Sequence, residues 1–580
     1  MSEQKIVTLT IDDQKVTIEE GKTVLEAAKK AGIDIPTLCY LKNVNEIGAC
    51  RMCLVEVEGA RGFVTSCVAK ATEGMIVKTK TSAIIDARKT NLDLLLSSHK
   101  RECLTCVRNK NCELQDLSEQ FGMTELEYDG ERKEFEIDDN SPSIVRDPNK
   151  CILCGRCVSV CKNIQKVGAI ENTNRGFNCK ISTTCDKGLD KVNCVMCGQC
   201  IVACPVGALY EKDSTKAIWN QIKNPDVHVV VQTAPAVRVG LGEEFGMEIG
   251  TNVTGKMVAA LKRIGFDKVF DTDTGADLTI MEEGTEFIER LQNKGTLPMI
   301  TSCSPGWIKY AETNYPELLE HLSTCKSPQM MFGAIIKSYY AEKEKIDPSK
   351  IYVVSVMPCV AKKFERQRDE MLGDVDAVIT TRELAKMIKQ ANIEFLKLPD
   401  EQFDNPMGEA TGAAVIFGTT GGVMEAALRT VAEVLTKKEL DKIEFENIRG
   451  EQGIKKATVK IGDTEVKVAV VHGLGNAEKI MEEIKTGSAD YHFVEIMACP
   501  GGCVTGGGQP IRSSKEKLEE DVRKLRAEGL YGADKEAKLR KSHENPVIKK
   551  LYEEFLEKPG SHKSHELLHT HYHKREKYNI

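Results

Sequence analysis

The chain has 580 residues, 29% of them charged, with 80 basic and 87 acidic side chains for a formal charge of −7. That length holds several domains and a sizeable core, and the mild acidity argues against nucleic acid as the main partner. MSEQKIVTLTIDD at the N-terminus lacks a basic stretch followed by an apolar run, and no apolar run reaches about 18 residues, so neither a secretory signal nor a membrane span is expected. A soluble, cytoplasmic chain with no membrane partner is the expectation. Its 22 cysteines stand out. In an oxidising compartment they would form disulfides; in a cytosol they are metal ligands or catalytic groups. Their spacing decides.

Residues 1–78 predict a β-grasp unit. IVTLTIDDQKVTIEEG is two alternating strands around an Asp-Asp turn, and TVLEAAKKAGI is a helix ended by Gly32. Cys39, Cys50, Cys53 and Cys67 follow as C-x10-C-x2-C-x13-C, with Gly48 letting backbone N–H groups approach the sulfurs. Zinc is one reading of this set. The segment resembles the [2Fe–2S] domain of complex I large subunits and iron hydrogenases, which implies a [2Fe–2S] cluster on these four thiols. Residues 79–120 are predicted helical and carry His99, Cys103, Cys106 and Cys112 as H-x3-C-x2-C-x5-C. Alone, that pattern suits zinc; between other clusters it suits a [4Fe–4S] cluster with one histidine ligand, and it resembles the same module. Residues 121–143 are acidic and polar, a predicted linker.

Within 144–212, DPNKCILCGRCVSVCKN and NCVMCGQCIVACPVGAL each contain C-x2-C-x2-C-x3-C. This is the two-cluster ferredoxin repeat, in which the fourth cysteine of each run ligates the other cluster. One [4Fe–4S] cluster is assigned to Cys151, Cys154, Cys157 and Cys204, the other to Cys194, Cys197, Cys200 and Cys161. Cys179 and Cys185, between the runs, receive no role. Fifteen cysteines and one histidine in the first 210 residues thus suffice for one [2Fe–2S] and three [4Fe–4S] clusters in a row, a wire that needs a reaction at its end.

Residues 225–512 read as a large α/β domain. VHVVVQ, KVFDTDTGADLTI, LPMITSC, IYVVSVMPC, AAVIFGTTGG and KVAVVHG are strand-to-loop junctions, with helices such as GKMVAALKRIG between them. Three loops carry thiols: TSCSPGW, MPCVAKKFE and MACPGGCVTGGG. These loops resemble the signature motifs of [FeFe] hydrogenases, and the resemblance covers essentially the whole chain. It implies an H-cluster, a [4Fe–4S] cubane joined through one cysteine sulfur to a diiron unit with CO, CN⁻ and a bridging amine dithiolate. Cys359, Cys499 and Cys503 would bind the cubane, with Cys503 bridging to the diiron unit and the glycines removing side chains that would collide with the cofactor. The family's first loop reads T-S-C-C-P, a proton donor followed by a cubane ligand. Here Ser304 stands at the ligand position, so the fourth ligand is Ser304, Cys303 or Cys325, with Cys303 favoured as relay. Lys362 resembles the lysine that donates to a cyanide ligand. Ala234, Pro235, Met357, Phe417 and Met497 match cofactor-packing positions.

In TIMEEGTEFIER, Glu283, Glu286 and Arg290 share one helix face; with Ser323 they resemble the family's proton path from the surface to Cys303. Residues 513–580 are expected to form a C-terminal helical tail of the hydrogenase domain. Its end, HKSHELLHTHYHK, holds five histidines and is expected to be a charged terminal helix with a frayed end rather than a metal site. The resemblance implies reversible 2H⁺ + 2e⁻ ⇌ H₂. No G-x-G-x-x-G follows a strand and no phosphate-binding G-x4-G-K-[ST] loop is present. The chain itself therefore offers no such nucleotide site. The resemblance of its four-cluster array implies electron transfer to flavin- and NAD(P)H-binding iron–sulfur partner subunits, as in NAD(P)-linked hydrogenases of anaerobes, electron-bifurcating ones among them, with maturation proteins supplying the diiron unit. The alternatives are a monomeric ferredoxin-dependent enzyme, a subunit of a carbon dioxide reductase, an H₂ sensor and an iron–sulfur scaffold.

Overall fold

The structure, a computed structural model, describes residues 5–128, 130–439, 442–450, 452–462 and 464–578. Strands Ile6–Ile11 and Gln14–Glu19 form the first hairpin, with Asp12 and Asp13 at φ +45° and +67°, the left-handed pair that a two-residue turn requires. Helix Val24–Lys30 starts at a reciprocal cap: the Thr23 hydroxyl accepts from Glu26 N–H, and the Glu26 carboxylate accepts from Thr23 N–H. The first strand pairs in parallel with Ile76–Lys78, which carries Leu54–Val57 and Val64–Thr65 beyond it. This is a β-grasp sheet.

Helices Ser82–Ser98 and Glu113–Gln120 flank the His99–Cys112 segment. The expected linker is packed in its second half. The Asn149 side chain holds both backbone groups of Phe135, at 2.8 and 2.9 Å, and Asp138 makes a buried ion pair with Arg146 at 3.1 Å. Residues 135–143 therefore pack with the ferredoxin-like unit, whose strands Ile144–Arg146 and Leu209–Glu211 pair antiparallel. Its two cysteine runs have the same backbone. Leu153 and Met196 take φ +54° and +58°, and each donates its N–H to the sulfur two residues back, Cys151 or Cys194, at 3.4 Å.

Beyond residue 225 lie two four-stranded sheets. One is wholly parallel, in the order Lys268–Asp271, His228–Thr233, Ile351–Met357, Ala377–Thr380. The other runs Met299–Ile300, Phe493–Met497, Thr464–His472, Ile454–Ile461, with only the last strand antiparallel. AAVIFGTTGG is not a strand junction. It forms a short helix, Gly412–Val415, and a 3-10 turn, Ile416–Gly418. A short apolar run is ambiguous between buried strand and buried helix, and here tertiary contact decides: a Cβ on Gly418 would stand 2.4 Å from Leu530 Cδ1 in helix Val522–Glu536. Among the described residues, no helix is long and apolar enough to cross a membrane.

The glycine run at 501–508 presses on protein backbone. A Cβ at Gly507 would stand 2.5 Å from Cys197 O and 2.7 Å from Gly198 Cα, one at Gly506 2.1 Å from Pro358 O, and one at Gly502 (φ +95°) 2.7 Å from Thr420 N. Gly502 and Gly506 also line the large cavity, so the run serves a second need besides clearing space for a cofactor: chain must pass against chain. Gly507→Ala should force the ferredoxin-like loop from the catalytic loop and destabilise the fold by ~1–3 kcal/mol, read as a lower apparent Tm.

Candidate active site

The three thiol-bearing loops, and a fourth without a thiol, leave the C-terminal ends of strands, where open α/β sheets place ligands. Met299–Ile300 leads to Cys303 and Ser304, Ile351–Met357 to Cys359, and Phe493–Met497 to Cys499 and Cys503. His228–Thr233 leads to Ala234 and Pro235. All of these residues, with Lys362, Phe417, Met357 and Met497, line one cavity. Every expected H-cluster residue therefore faces a common space except Cys325, which lies outside that lining.

Burial pushes all four thiols up: Cys503 to about 12, with the neighbouring Cys359 adding to it, and Cys499 and Cys303 well above their ordinary value. Thiols in this state ligate only when a cation offsets the charge of the thiolate. Gln329 Oε1 also lines the cavity and is buried with no protein partner, while its Nε2 donates to Glu365 Oε2 at 3.1 Å. Buried thiols, apolar walls and an orphaned amide oxygen fit an iron–sulfur-linked cofactor. Lys362 Nζ donates to Glu365 Oε2 at 2.8 Å and to Cys303 O at 3.1 Å, which holds a cation at the wall beside the relay loop.

Ser304 and Cys303 face different neighbours. The Ser304 hydroxyl accepts from Ala498 N–H at 3.2 Å, next to Cys499. Cys303 feels the charge of Glu283 most strongly after burial itself. Glu283 is raised to about 8, by burial first and then by Glu286, and its Oε2 is buried with no partner. Ser323 Oγ donates to Glu286 Oε2 at 2.8 Å, and Arg290 Nη2 donates to Glu286 Oε1 at 2.6 Å. Glu286 is thus bonded to both Ser323 and half-buried Arg290, while Glu283 interacts with Ser323 and acts on Cys303 through its charge.

The accessory thiols group as their spacing suggests. Cys151, Cys154, Cys157 and Cys204 ring a separate cavity of about 430 Å³. Cys161, Cys194, Cys197 and Cys200 perturb one another electrostatically, and Cys197 also lines the large cavity. In the β-grasp unit, Cys53 and Cys67 sulfurs are 3.2 Å apart and Cys39 N–H donates to Cys50 Sγ at 3.4 Å. His99 is buried, its Nδ1 has no partner, and burial pushes its pKa down to about 4, which keeps it in the neutral, ligating form. Cys106 Sγ fills the space where Gly207 lacks a Cβ.

Three connecting residues escaped sequence reasoning. Asn45 Nδ2 donates to both Cys39 O (2.8 Å) and Cys154 O (3.0 Å). Gln165 Nε2 reaches Ala498 O at 2.9 Å and Cys197 Sγ at 3.5 Å. Gln199 Nε2 donates to Thr505 O at 2.9 Å. Their only signal is a polar side chain within or beside a ligand loop, which is too common to single them out.

Residues 227–507 match the family of the iron only hydrogenase large subunit, C-terminal domain, and 520–575 the iron hydrogenase small subunit. Residues 4–82 match a 2Fe-2S iron-sulfur cluster binding domain, 88–127 an NADH-ubiquinone oxidoreductase-G iron-sulfur binding region, and 141–210 an NADH-quinone oxidoreductase subunit 3 ferredoxin-like domain. Over 99% of this chain and all of the relative, it is 50% identical to the NADP-reducing hydrogenase subunit HndD of Solidesulfovibrio fructosivorans. Iron hydrogenase 1 of Clostridium pasteurianum is 44% identical over 98% of this chain and 100% of that protein. Cytosolic iron-sulfur assembly component 3 of Bos taurus is 32% identical over 62% of this chain and 77% of its own length. A solved variant of [FeFe]-hydrogenase HydA1 from Chlamydomonas reinhardtii superposes with a TM-score of 0.56 at 42% identity, covering 62% of this chain and 98% of that one.

Glu283 yields a prediction with a definite sign. Its folded pKa of about 8 exceeds the ordinary 4.5, so between those values the folded state binds the extra proton and stability falls as pH rises. Glu283→Gln should flatten that fall, read by denaturation at both ends of the window. The same variant, unable to pass a proton, should lose ~10²-fold or more in turnover.

Proposed function

The chain belongs to the iron-only hydrogenase family, and from that premise we propose that it is the catalytic subunit of a multi-subunit NAD(P)-linked hydrogenase. Its reaction is the reversible oxidation of H₂ to two protons and two electrons. The observation that carries this reading is the convergence of Cys303, Ser304, Cys359, Cys499 and Cys503 on one apolar cavity that Cys197 of the ferredoxin-like unit also lines. When bound, the H-cluster supplies the metal and amine at which H₂ is cleaved or formed.

The residues of the chain hold that centre and serve it. Cys359, Cys499 and Cys503 would hold the cubane, and Ser304, turned toward the Cys499 loop, would stand at the fourth position. Cys303, turned toward Glu283, carries the proton at its sulfur. Glu283 takes that proton and passes it through the Ser323 hydroxyl to Glu286, where Arg290 marks the exit. Lys362 presents an ammonium to the cofactor wall. Ala234, Pro235, Met357, Phe417 and Met497 exclude water.

Two [4Fe–4S] clusters would be held by the ferredoxin-like unit, a third by His99, Cys103, Cys106 and Cys112, and a [2Fe–2S] cluster by Cys39, Cys50, Cys53 and Cys67; these would supply one-electron transfer away from the cavity. The NADH-oxidoreductase-like segments and the NADP-reducing relative support a flavin- and NAD(P)H-binding partner beyond them, with electron bifurcation as an available mode. A cytoplasmic setting suits 22 free thiols.

The first measurement is an anaerobic infrared spectrum of the matured chain in the CO/CN stretching region, before and after H₂. Bands that shift with H₂ are expected; their absence after co-expression with maturation proteins would overturn the reading. The isolated chain should reduce an artificial dye under H₂, and NAD(P)⁺ only when partner subunits are added. Cys303→Ala should keep the cubane's electron paramagnetic resonance signal while losing ~10²-fold or more of turnover. Loss of that signal would make Cys303 the fourth ligand, and Ser304→Cys would then restore it.

A further inference from the structure

The histidine-rich end of the chain is neither frayed nor free. After helix His562–Leu568, residues 569–575 lie along the loop that carries the proton route. Thr570 N–H donates to Thr324 O at 2.7 Å, Cys325 and His569 pair as an antiparallel bridge, and Tyr572 OH donates to Cys325 O at 3.2 Å. Arg575 N–H donates to Glu312 O at 3.0 Å.

This docking gathers three donors from distant parts of the chain. Glu286, Cys325 and His569 each offer a ligand atom, and these atoms all lie within 4.8 Å of one another. Cys325 Sγ is 3.9 Å from Glu286 Oε2. Cys325 is buried, and the other two are half-buried. One thiol, one imidazole and one carboxylate form a donor set for zinc-class ions, whose Zn–S and Zn–N bonds of ~2.3 and ~2.0 Å need donors this close.

The surroundings orient those donors. His569 Nε2 is 3.2 Å from Glu282 Oε2, a buried carboxylate that also accepts from Tyr552 OH at 2.6 Å and Gly560 N–H at 2.9 Å. A carboxylate behind an imidazole is the usual support of a metal-bound histidine. It leaves Nδ1, now 2.7 Å from Thr324 Oγ1, as the nitrogen not engaged by Glu282. Arg290 engages Glu286 Oε1, and Oε2 is the oxygen nearest Cys325. The other three-donor group, Glu433, His543 and Glu544, already holds the Lys541 ammonium at 2.8 Å from Glu433 and 3.3 Å from Glu544.

We propose that Glu286, Cys325 and His569 form a binding site for one thiophilic divalent cation of the zinc class, and that the bound ion closes the proton route at Glu286. Binding releases the Cys325 thiol proton to solvent and ties up the carboxylate that would otherwise accept from Ser323. The closure rests on the proton path proposed above; the site itself does not.

The test uses the full-length, matured holoenzyme under anaerobic conditions, titrated with zinc chloride. Bound zinc is counted after desalting, its ligand shell is read by zinc-edge X-ray absorption, and dye-linked H₂ oxidation is followed in parallel. One zinc per chain is expected, with iron content unchanged, a single sulfur at ~2.3 Å, and inhibition in step with binding. Cys325→Ser and His569→Gln should each raise the zinc needed for half-inhibition by ~10-fold or more, and Cys325→Ser should remove the sulfur shell. Equal zinc affinity in both variants, or a sulfur shell surviving in Cys325→Ser, would overturn the site. Single-sulfur binding at full activity would support the site and overturn both the closure and the passage of protons through Glu286.

Discussion

The contact on which the arrangement depends is between two glycines. Gly198, in the second cysteine run, and Gly507, in the catalytic loop, meet backbone to backbone, and neither position has room for a Cβ. Because they meet, Cys197 reaches the wall of the large cavity while it also groups with Cys161, Cys194 and Cys200 in the ferredoxin-like unit. Gln165 and Gln199 then fasten the seam by donating to Ala498 O and Thr505 O. The ferredoxin-like unit and the catalytic domain are thus built into one another.

The second organising principle is separation. Electrons and protons leave H₂ together but need different media: a chain of clusters shielded from water, and a chain of titratable groups within hydrogen-bond reach. The fold gives them different residues. Cys197 lines the cavity from the ferredoxin-like unit, and Cys303 lines it from a loop on which the charge of Glu283 acts. Burial serves both, since it keeps cluster thiols from reacting and lets Glu283 hold a proton near neutral pH.

Much of this was legible because iron–sulfur ligation constrains sequence tightly. Four thiols that close on a small cluster must come from short loops, so the spacing of Cys151, Cys154, Cys157 and Cys204 carries their grouping. Strand ends such as IYVVSVMPC were legible from apolar runs that stop at a loop. Gly412–Gly418 was not, because a buried apolar run has no periodicity to separate helix from strand. The second role of the glycines was not legible, since the backbone they accommodate is remote in sequence. Cys325 looked like a spare ligand for the cubane, and only the path of residues 569–575 reveals what stands beside it.

Asn45 carries a consequence of its own. One side-chain amide bonds the carbonyls of Cys39 and Cys154, the only such clamp described between those two ligand loops. Electron tunnelling weakens steeply with separation, so the rate between the two neighbouring clusters depends on how far the β-grasp unit can swing from the ferredoxin-like unit. That amide acts together with the packing of Leu38, Cys39 and Met52 against Cys154 and Cys157, so a small polar side chain remote from the chemistry helps fix the step between two stations of the wire.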